Sequence, residues 1–374
     1  MLKKSLVTLV AILMVVVFAA GCSTPAADTA ASSAAPASEA ASASEAAPAS
    51  SEAATAEAPA YTPAADIQAP AGKTLLSLPV DQVAEKELKI ASIMVQNNPF
   101  GVAVLQGSQF ANEALKGRNA VVDSISVEDF DAQKWTSVVE NCIAAKYDAI
   151  CLLGLSEALT PVVNKAVDAG IIVMAFNTEP GLDSKRTAFY GQDGDYGGKQ
   201  CGKALEELMG GEGEYIIITG DFGVLGHELR RKGARSVLDA NSKLKLVGEF
   251  ENNDKAEEAY NITTNAMLAN PNLKGIYVTA GGPSGAAKAL EDAGKQNDIM
   301  MVCHDVLAEA APYVADGTIK ACLDQDPFNQ GYQPCIDAFN MLVTGKAPAQ
   351  EINWYEGVMA TPETVKDLFP ELFQ

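Results

Sequence analysis

Polar and aromatic side chains follow several short apolar segments of this 374-residue chain, where strands of a parallel sheet would end. Planar amide, carboxylate and guanidinium groups form paired hydrogen bonds with neighbouring hydroxyls, and an aromatic ring covers the apolar face of a sugar. These positions therefore predict a site for a small polyhydroxylated molecule. Its candidate residues are Asn98, Phe100, Asn177, Arg230, Asp305 and Gln325. Further candidates at neighbouring positions are Gln96, Arg186, Asp193 and His304.

The sequence gives little support for a metal site or a reactive cysteine pair. The chain has only two histidines, His227 and His304, which excludes a multi-histidine metal site. The segment beginning at His227 lacks the second histidine of a zinc-protease helix, and no C-x-x-C pair is present. The glycine-rich loop 281–285 lacks the lysine and the spacing of a phosphate loop. We expect no metal, no cofactor and no enzymatic activity.

Apolar runs alternate with amphipathic segments, which predicts repeated βαβ units and parallel sheets. Strands are predicted at 88–95, 149–153, 171–176, 215–219, 244–250, 275–279, 299–303 and 318–323. Helices are predicted at 101–115, 131–146, 159–169, 197–209, 229–241 and 255–269. Parallel sheets present ligand sites at the carboxyl ends of their strands, so these elements would gather the candidate residues.

Charge and cysteine content narrow the class of protein further. The net charge is −21 and no basic block occurs, which argues against nucleic acid as a partner. Besides Cys22 there are six cysteines, and several of them lie inside apolar runs. Buried free thiols are the favoured interpretation, while disulfides remain an alternative in an exported chain.

The first 22 residues predict export and attachment to a membrane. Lys3 and Lys4 precede the apolar run 6–20, which is short for a membrane span. Residues 19–22 resemble a lipobox, with Ala19 where leucine is usual and Cys22 at the lipidated position. We expect a signal peptide at 1–21 and a lipidated Cys22; an ordinary secretion signal with a chance cysteine is the alternative.

Residues 22–71 predict a disordered tether. After Cys22 they are almost entirely Ala, Ser, Pro, Thr and acidic residues, with a single aromatic, Tyr61. Such a segment cannot bury enough apolar surface to offset the entropy of ordering. The tether would hold the folded unit away from the lipid. That unit has about 300 residues, which is enough for two lobes.

The folded part resembles the extracytoplasmic sugar-binding proteins of ABC transporters, of the ribose/galactose type. The motifs that carry the resemblance are Asn97-Asn98-Pro99-Phe100, Phe176-Asn177, Tyr190-Gly191-Gln192-Asp193, His304-Asp305 and Leu323-Asp324-Gln325-Asp326-Pro327. The resemblance implies an α/β fold of two similar Rossmann-like lobes with parallel sheets, joined by three crossovers: the type I periplasmic binding protein, or LacI-like sensor, fold. The implied lobes are 88–192 with 327–353, and 193–326 with 354–374.

The resemblance also implies a role for each candidate residue. Phe100 would stack on a sugar ring, and Arg230 and Asp305 would hold hydroxyls. Paired donors and acceptors would come from Asn98, Asn177 and Gln325. This chain departs from the ribose-type pattern at several positions, among them Asn177-Thr178, His304 and the residues after Thr279. A pentose, a hexose, a cyclic polyol and a furanone-type signal all remain open as ligands.

Three functions follow from these patterns. The first is a binding protein that captures a sugar or polyol and delivers it to an ABC permease. The second is the same fold acting as the input of a membrane receptor or kinase. The third, a hydrolase using Asp305 with Asp193 or Glu179, is not required by any spacing. The resemblance implies a monomer, and the lipid anchor predicts an extracytoplasmic protein of a Gram-positive-like envelope.

Overall fold

The computed structural model describes residues 61–96 and 98–373. The predicted signal peptide, Cys22 and the tether up to residue 60 lie outside the described residues. Within them, no helix combines the length and the apolar character needed to cross a bilayer.

Strands and helices alternate along most of the described chain. The strands are β1 Leu88–Val95, β2 Ala120–Val127, β3 Ala149–Leu153, β4 Ile172–Phe176, β5 Ala188–Gly191, β6 Gly213–Thr219, β7 Leu244–Glu251, β8 Leu273–Val278, β9 Met300–His304, β10 Ala321–Asp324, β11 Ile352–Trp354 and β12 Val358–Ala360. The helices are α1 Pro99–Ala114, α2 Ala132–Ala144, α3 Thr160–Asp168, α4 Gly194–Leu208, α5 Leu225–Leu238, α6 Ala256–Ala269, α7 Pro283–Asp292, α8 Ala311–Ala315, α9 Pro327–Thr344 and α10 Val365–Leu368.

The strands form two six-stranded sheets. The first has the order β11-β5-β4-β3-β1-β2, and all of its neighbours are parallel. The second has the order β12-β10-β9-β8-β6-β7 and is parallel except for β12, which runs antiparallel to β10. This repeated architecture confirms the predicted α/β fold of two similar lobes.

The chain passes between the lobes three times, at residues 191–194, 324–327 and 354–358. The predicted third boundary needs a small correction. Trp354 was assigned to the second lobe, but it pairs with Gly191 in the first sheet. Its ring also lies 5.5 Å from that of Phe189, edge to face, so it packs with the first lobe.

Each lobe buries an apolar core between its sheet and its helices. In the first lobe, the buried strands β1, β3 and β4 pack against α1 and α9. In the second, α4 lies against α5 so closely that a Cβ on Gly198 would lie 2.1 Å from the carbonyl oxygen of Arg230. Only glycine permits that approach. It fixes the height of α5, and with it Arg230, over the sheet.

The last part of the predicted tether is folded. The guanidinium of Arg118 lies 4.2 Å from the ring centre of Tyr61, whose hydroxyl donates to the carbonyl of Asp81. Ile67 packs against the core of the first lobe. The prediction of disorder is therefore wrong for residues 61–71, because Tyr61 and Ile67 give the segment apolar surface to bury.

The six cysteines of the described chain are buried, and none forms a disulfide. This confirms the interpretation as free thiols. Burial raises the pKa of Cys142 to about 11, and it also raises the pKa of Cys201. The members of the set are Cys142, Cys151, Cys201, Cys303, Cys322 and Cys335.

Candidate functional site

The carboxyl ends of the two sheets enclose a cavity of about 350 Å³ of empty space, counted to its open mouth. Its walls come from both lobes. The structure brings all six principal candidates together here: Asn98, Phe100, Asn177, Arg230, Asp305 and Gln325.

The two polar atoms of the Asn98 side chain form different hydrogen bonds. Its Oδ1 accepts from the backbone N–H groups of Phe100, at 2.8 Å, and Gly101, at 3.4 Å, which caps the N-terminus of α1. Its Nδ2 therefore points away from the helix and donates to Asp254 Oδ2 at 2.8 Å. Because Asp254 belongs to the second lobe, this bond joins the lobes across the cavity.

Asp254 is a half-buried carboxylate in the segment leading into α6. Its Oδ1 accepts from the backbone N–H of Gly281 at 2.9 Å. A Cβ on Gly220 would lie 2.1 Å from that same oxygen, so the absence of a side chain makes room for the carboxylate. Burial raises the pKa of Asp254 to about 6, although its two donors and the nearby Arg230 oppose the rise.

Arg230 supplies the positive charge of the cavity. It is buried on α5, and its Nη1 donates to the carbonyl of Thr279 at 3.0 Å. Its charge favours the ionised forms of Asp254 and Asp305. Within the described chain, Asp254 and Asp305 accept from amide groups and Arg230 donates to a carbonyl, so the three groups keep hydrogen-bonding capacity for a ligand.

Hydrogen bonds made by two side-chain amides connect Asp305 with the first lobe. Gln325 Nε2 donates to Asp305 Oδ1 at 2.7 Å, and Asn177 Nδ2 donates to Gln325 Oε1 at 3.1 Å. Asp305 and Asn177 have φ angles of 69° and 62°, in the left-handed region that Asp and Asn tolerate better than most residues. Burial raises the pKa of Asp305, opposed by Arg230 and Gln325.

Phe130 and His227 close another side of the cavity from opposite lobes. Their rings are 5.9 Å apart and perpendicular. His227 Nδ1 accepts from the backbone N–H of Asp221 at 3.1 Å, so the ring hydrogen of the neutral form is on Nε2. Burial and the charge of Arg230 lower the pKa of His227 to about 3, which keeps it neutral.

Two of the further candidates are engaged elsewhere. Arg186 donates through Nε to Glu179 at 2.8 Å and through Nη1 to Glu351 at 3.1 Å, which consumes its guanidinium on the first lobe. His304 lies fully buried behind the cavity, with Nδ1 3.0 Å from the hydroxyl of Tyr277. Burial lowers the pKa of His304 well below its ordinary value.

The other two lie beside the cavity rather than on its wall. Asp193 caps α4, its Oδ1 accepting from the backbone N–H of Tyr196 at 3.1 Å. Gln96 is exposed and lines a wider groove at the mouth. Acidic side chains from both lobes surround that groove: Glu128, Asp129, Asp131 and Asp221.

Three wall residues were missed by the sequence analysis. Phe130 follows β2, a strand absent from the prediction, so the residues after it were never considered. Asp254 follows the predicted strand β7, and applying the strand-end rule there would have found it. His227 was considered only as a metal ligand, whereas its position after β6, at the start of α5, was the relevant signal.

Two α/β lobes that enclose a polar cavity and are joined by three crossovers define a two-lobed binding protein. The chain belongs to the periplasmic binding protein domain family, whose model matches residues 91–347. It is 27% identical over 274 residues to the D-ribose/D-allose-binding protein of Pseudomonas aeruginosa, covering 71% of this chain and 84% of that protein.

Solved structures agree with this assignment. A periplasmic solute-binding protein of an ABC transporter from Actinobacillus succinogenes, with bound D-allose, is 26% identical, with a TM-score of 0.67 over 75% of this chain and 99% of that one. One from Agrobacterium vitis, with bound D-fucose, is also 26% identical, with a TM-score of 0.70 over 76% and 98%. These relatives are sugar-binding transport proteins and not enzymes.

Proposed function

We propose that this protein captures a small neutral sugar or polyol between its lobes and delivers it to the permease of an ABC transporter. The observation that carries the proposal is the cavity itself. Asn98, Asp254, Arg230 and Asp305 are held by fixed partners on two lobes, and each retains capacity for further hydrogen bonds. Phe100 and Phe130 add aromatic surface for the C–H face of a ring.

The charges favour a neutral ligand over an anionic one. Two carboxylates, Asp254 and Asp305, accompany the one cation, Arg230, among the described wall residues. The acidic mouth adds repulsion, so sugar acids and sugar phosphates would be disfavoured. The names of the relatives suggest pentoses and hexoses such as ribose, allose and fucose as first ligands to test.

The lipid anchor is part of the same proposal. Lipidation at Cys22 would hold the protein on the outer face of a cell membrane, beside its permease. Incorporation of a radioactive fatty acid into the full chain, and its loss in Cys22→Ser, is the expected result. Equal labelling of both chains would contradict the anchor without affecting the binding site.

A thermal-shift screen tests the binding function. D-Ribose, D-allose, D-fucose, xylitol and inositol would be compared with D-glucuronate and ribose 5-phosphate at millimolar concentration. A ligand at about 1,000 times its Kd adds about 4 kcal/mol, which raises the Tm by several degrees. We expect at least one neutral compound to do so, and Asp305→Ala to abolish the shift.

Asp298→Ala is the matched control, because Asp298 is exposed and pairs with Lys295 away from the cavity. It should keep the full shift. A folded protein that no neutral sugar or polyol stabilises would contradict the proposed ligand class.

A further inference from the structure

The segment 61–84, here called the strap, runs along the first lobe before β1. Ile67, Leu75 and Val80 pack against the core of that lobe. The strap lies outside residues 91–347, which match the family model.

Side chains of α9 hold the strap in register. Asn329 Nδ2 donates to the carbonyl of Thr74 at 2.7 Å, and Asn340 Oδ1 accepts from the backbone N–H of Val80 at 2.8 Å. Ser77 donates to Asp337 Oδ1 at 2.5 Å. Because α9 packs on α1 and on the first sheet, these bonds attach the strap to the first lobe.

One residue of the strap reaches the second lobe. Lys73 Nζ lies 2.7 Å from Glu371 Oε1, and the two side chains are only 26% and 17% exposed. Glu371 follows α10, whose Val365 is part of the core of the second lobe, and Phe373 packs against that core. The ion pair therefore joins a segment anchored on one lobe to the end of the other.

The position of the pair places it beside the hinge. Lys73 and Glu371 line a groove between the lobes, together with Val102 of α1 and with Asp324 and Pro327 of the second crossover. A change in the angle between the lobes would alter the distance between the strap and the C-terminal segment.

We propose that the strap is a further, non-covalent connection between the lobes beside the three crossovers, and that Lys73 and Glu371 are positioning residues that restrain opening. The crossovers connect the lobes covalently but leave the angle between them free to change. A partly buried ion pair beside them adds a restraint that exists only when the strap is in place. Its expected contribution is a change of about two- to five-fold in the ratio of open to closed molecules.

Pulsed electron spin resonance on the ligand-free full chain measures this ratio directly. Spin labels would be attached at Leu182→Cys on the first lobe and Leu268→Cys on the second, positions that are 95% and 78% exposed. Cys22→Ser removes the predicted lipidation site. Lys73→Met should increase the long-distance population about two- to five-fold, and Glu371→Gln should do the same by removing the other partner.

Two controls make the result specific. The exchanged pair, Lys73→Glu with Glu371→Lys, should restore the parent distribution. Lys86→Met removes an ion pair with Asp148 that lies wholly in the first lobe, so it should change nothing. Parent-like distances in both single variants, or no restoration by the exchanged pair, would overturn the proposal. Since no ligand is used, this outcome is independent of the sugar screen.

Discussion

Asp254 combines two properties that normally oppose each other: its carboxylate is largely desolvated, and it accepts hydrogen bonds from fixed donors. Desolvation disfavours the ionised form, whereas Gly281, Asn98 and Arg230 favour it. Desolvation is the larger effect, so the pKa rises from its ordinary value of 3.8 to about 6. The folded protein therefore favours the protonated form of Asp254 more than the unfolded chain does.

This gives a pH dependence with a definite sign. A carboxyl whose pKa is higher in the folded state stabilises the fold fully below its unfolded pKa, near 4, and loses that contribution as pH rises through about 6. The free energy of unfolding of the ligand-free protein should fall by about 3 kcal/mol from this group between pH 3 and pH 8. Asp254→Asn should remove that part of the fall.

Urea unfolding at several pH values measures the effect. Asp168→Asn, at an exposed position of the first lobe, is the matched control and should keep the parent slope. An Asp254→Asn profile parallel to that of the parent would show that Asp254 does not titrate in this range.

Substitutions of Asn98 can separate its capping of α1 from its hydrogen bond to Asp254. Asn98→Ser keeps an oxygen that can cap α1 but cannot bridge to Asp254, while Asn98→Ala loses both interactions. We expect Asn98→Ala to cost about 1 kcal/mol of stability and Asn98→Ser much less. Both should weaken ligand binding by a similar factor, measured by calorimetry with the sugar found in the screen. Unchanged affinity in Asn98→Ser would mean that the interlobe bond is irrelevant to binding.

The sequence could predict which residues lie at strand ends but not which of them meet. Asn98 and Asp254 are 156 positions apart and touch only because the lobes face each other. Arg186 and His304 were misplaced for the same reason. Arg186 also pairs with the nearby Glu179, but its partner Glu351 and the His304 partner Tyr277 come from distant segments of the sequence.

At the scale of elements, the contact between α4 and α5 determines where Arg230 lies. Gly198→Ala would place a methyl group against the backbone of Arg230, which must shift by at least a few tenths of an ångström. We expect a loss of about 1–3 kcal/mol of stability from overpacking. We also expect ligand affinity to fall by about ten-fold, because charge-assisted hydrogen bonds depend on position.

Gly107→Ala separates these two effects. It introduces a similar collision, with the carbonyl of Phe328, in the first lobe and about two and a half turns from Asn98. Its stability loss should resemble that of Gly198→Ala, but its affinity should remain near that of the parent. An equal loss of affinity in both variants would indicate general destabilisation rather than displacement of Arg230.

The elements themselves were predicted best where burial is one-sided or complete. β1 and β3 have the predicted limits, because β3 is a continuous apolar run and β1 is interrupted only by Lys89 and Ser92. β2 was missed because it is a sheet edge that mixes polar and apolar residues, of which only Val122 and Val127 are buried. α9 was missed because its first twelve residues are almost all buried, so it lacks the polar face that marks a helix, and it contains Pro334.

At the scale of the whole molecule, stability does not depend on disulfides. The six described thiols are buried, and the Tm should be the same with and without a reducing agent. In a Cys22→Ser chain, a thiol reagent should label none of them in the native state and all six in urea. Rapid labelling of the native protein would show that one lobe opens to its core.

Buried thiols and the lack of disulfides among the described residues make the protein suitable as an optical sensor. A chain that folds without disulfides can be produced in the reducing cytoplasm of a laboratory bacterium. A cysteine introduced at Leu182 would be the one accessible thiol among the described residues. A dye attached there would mark a single site, and its emission would report the sugar concentration if capture changes its surroundings.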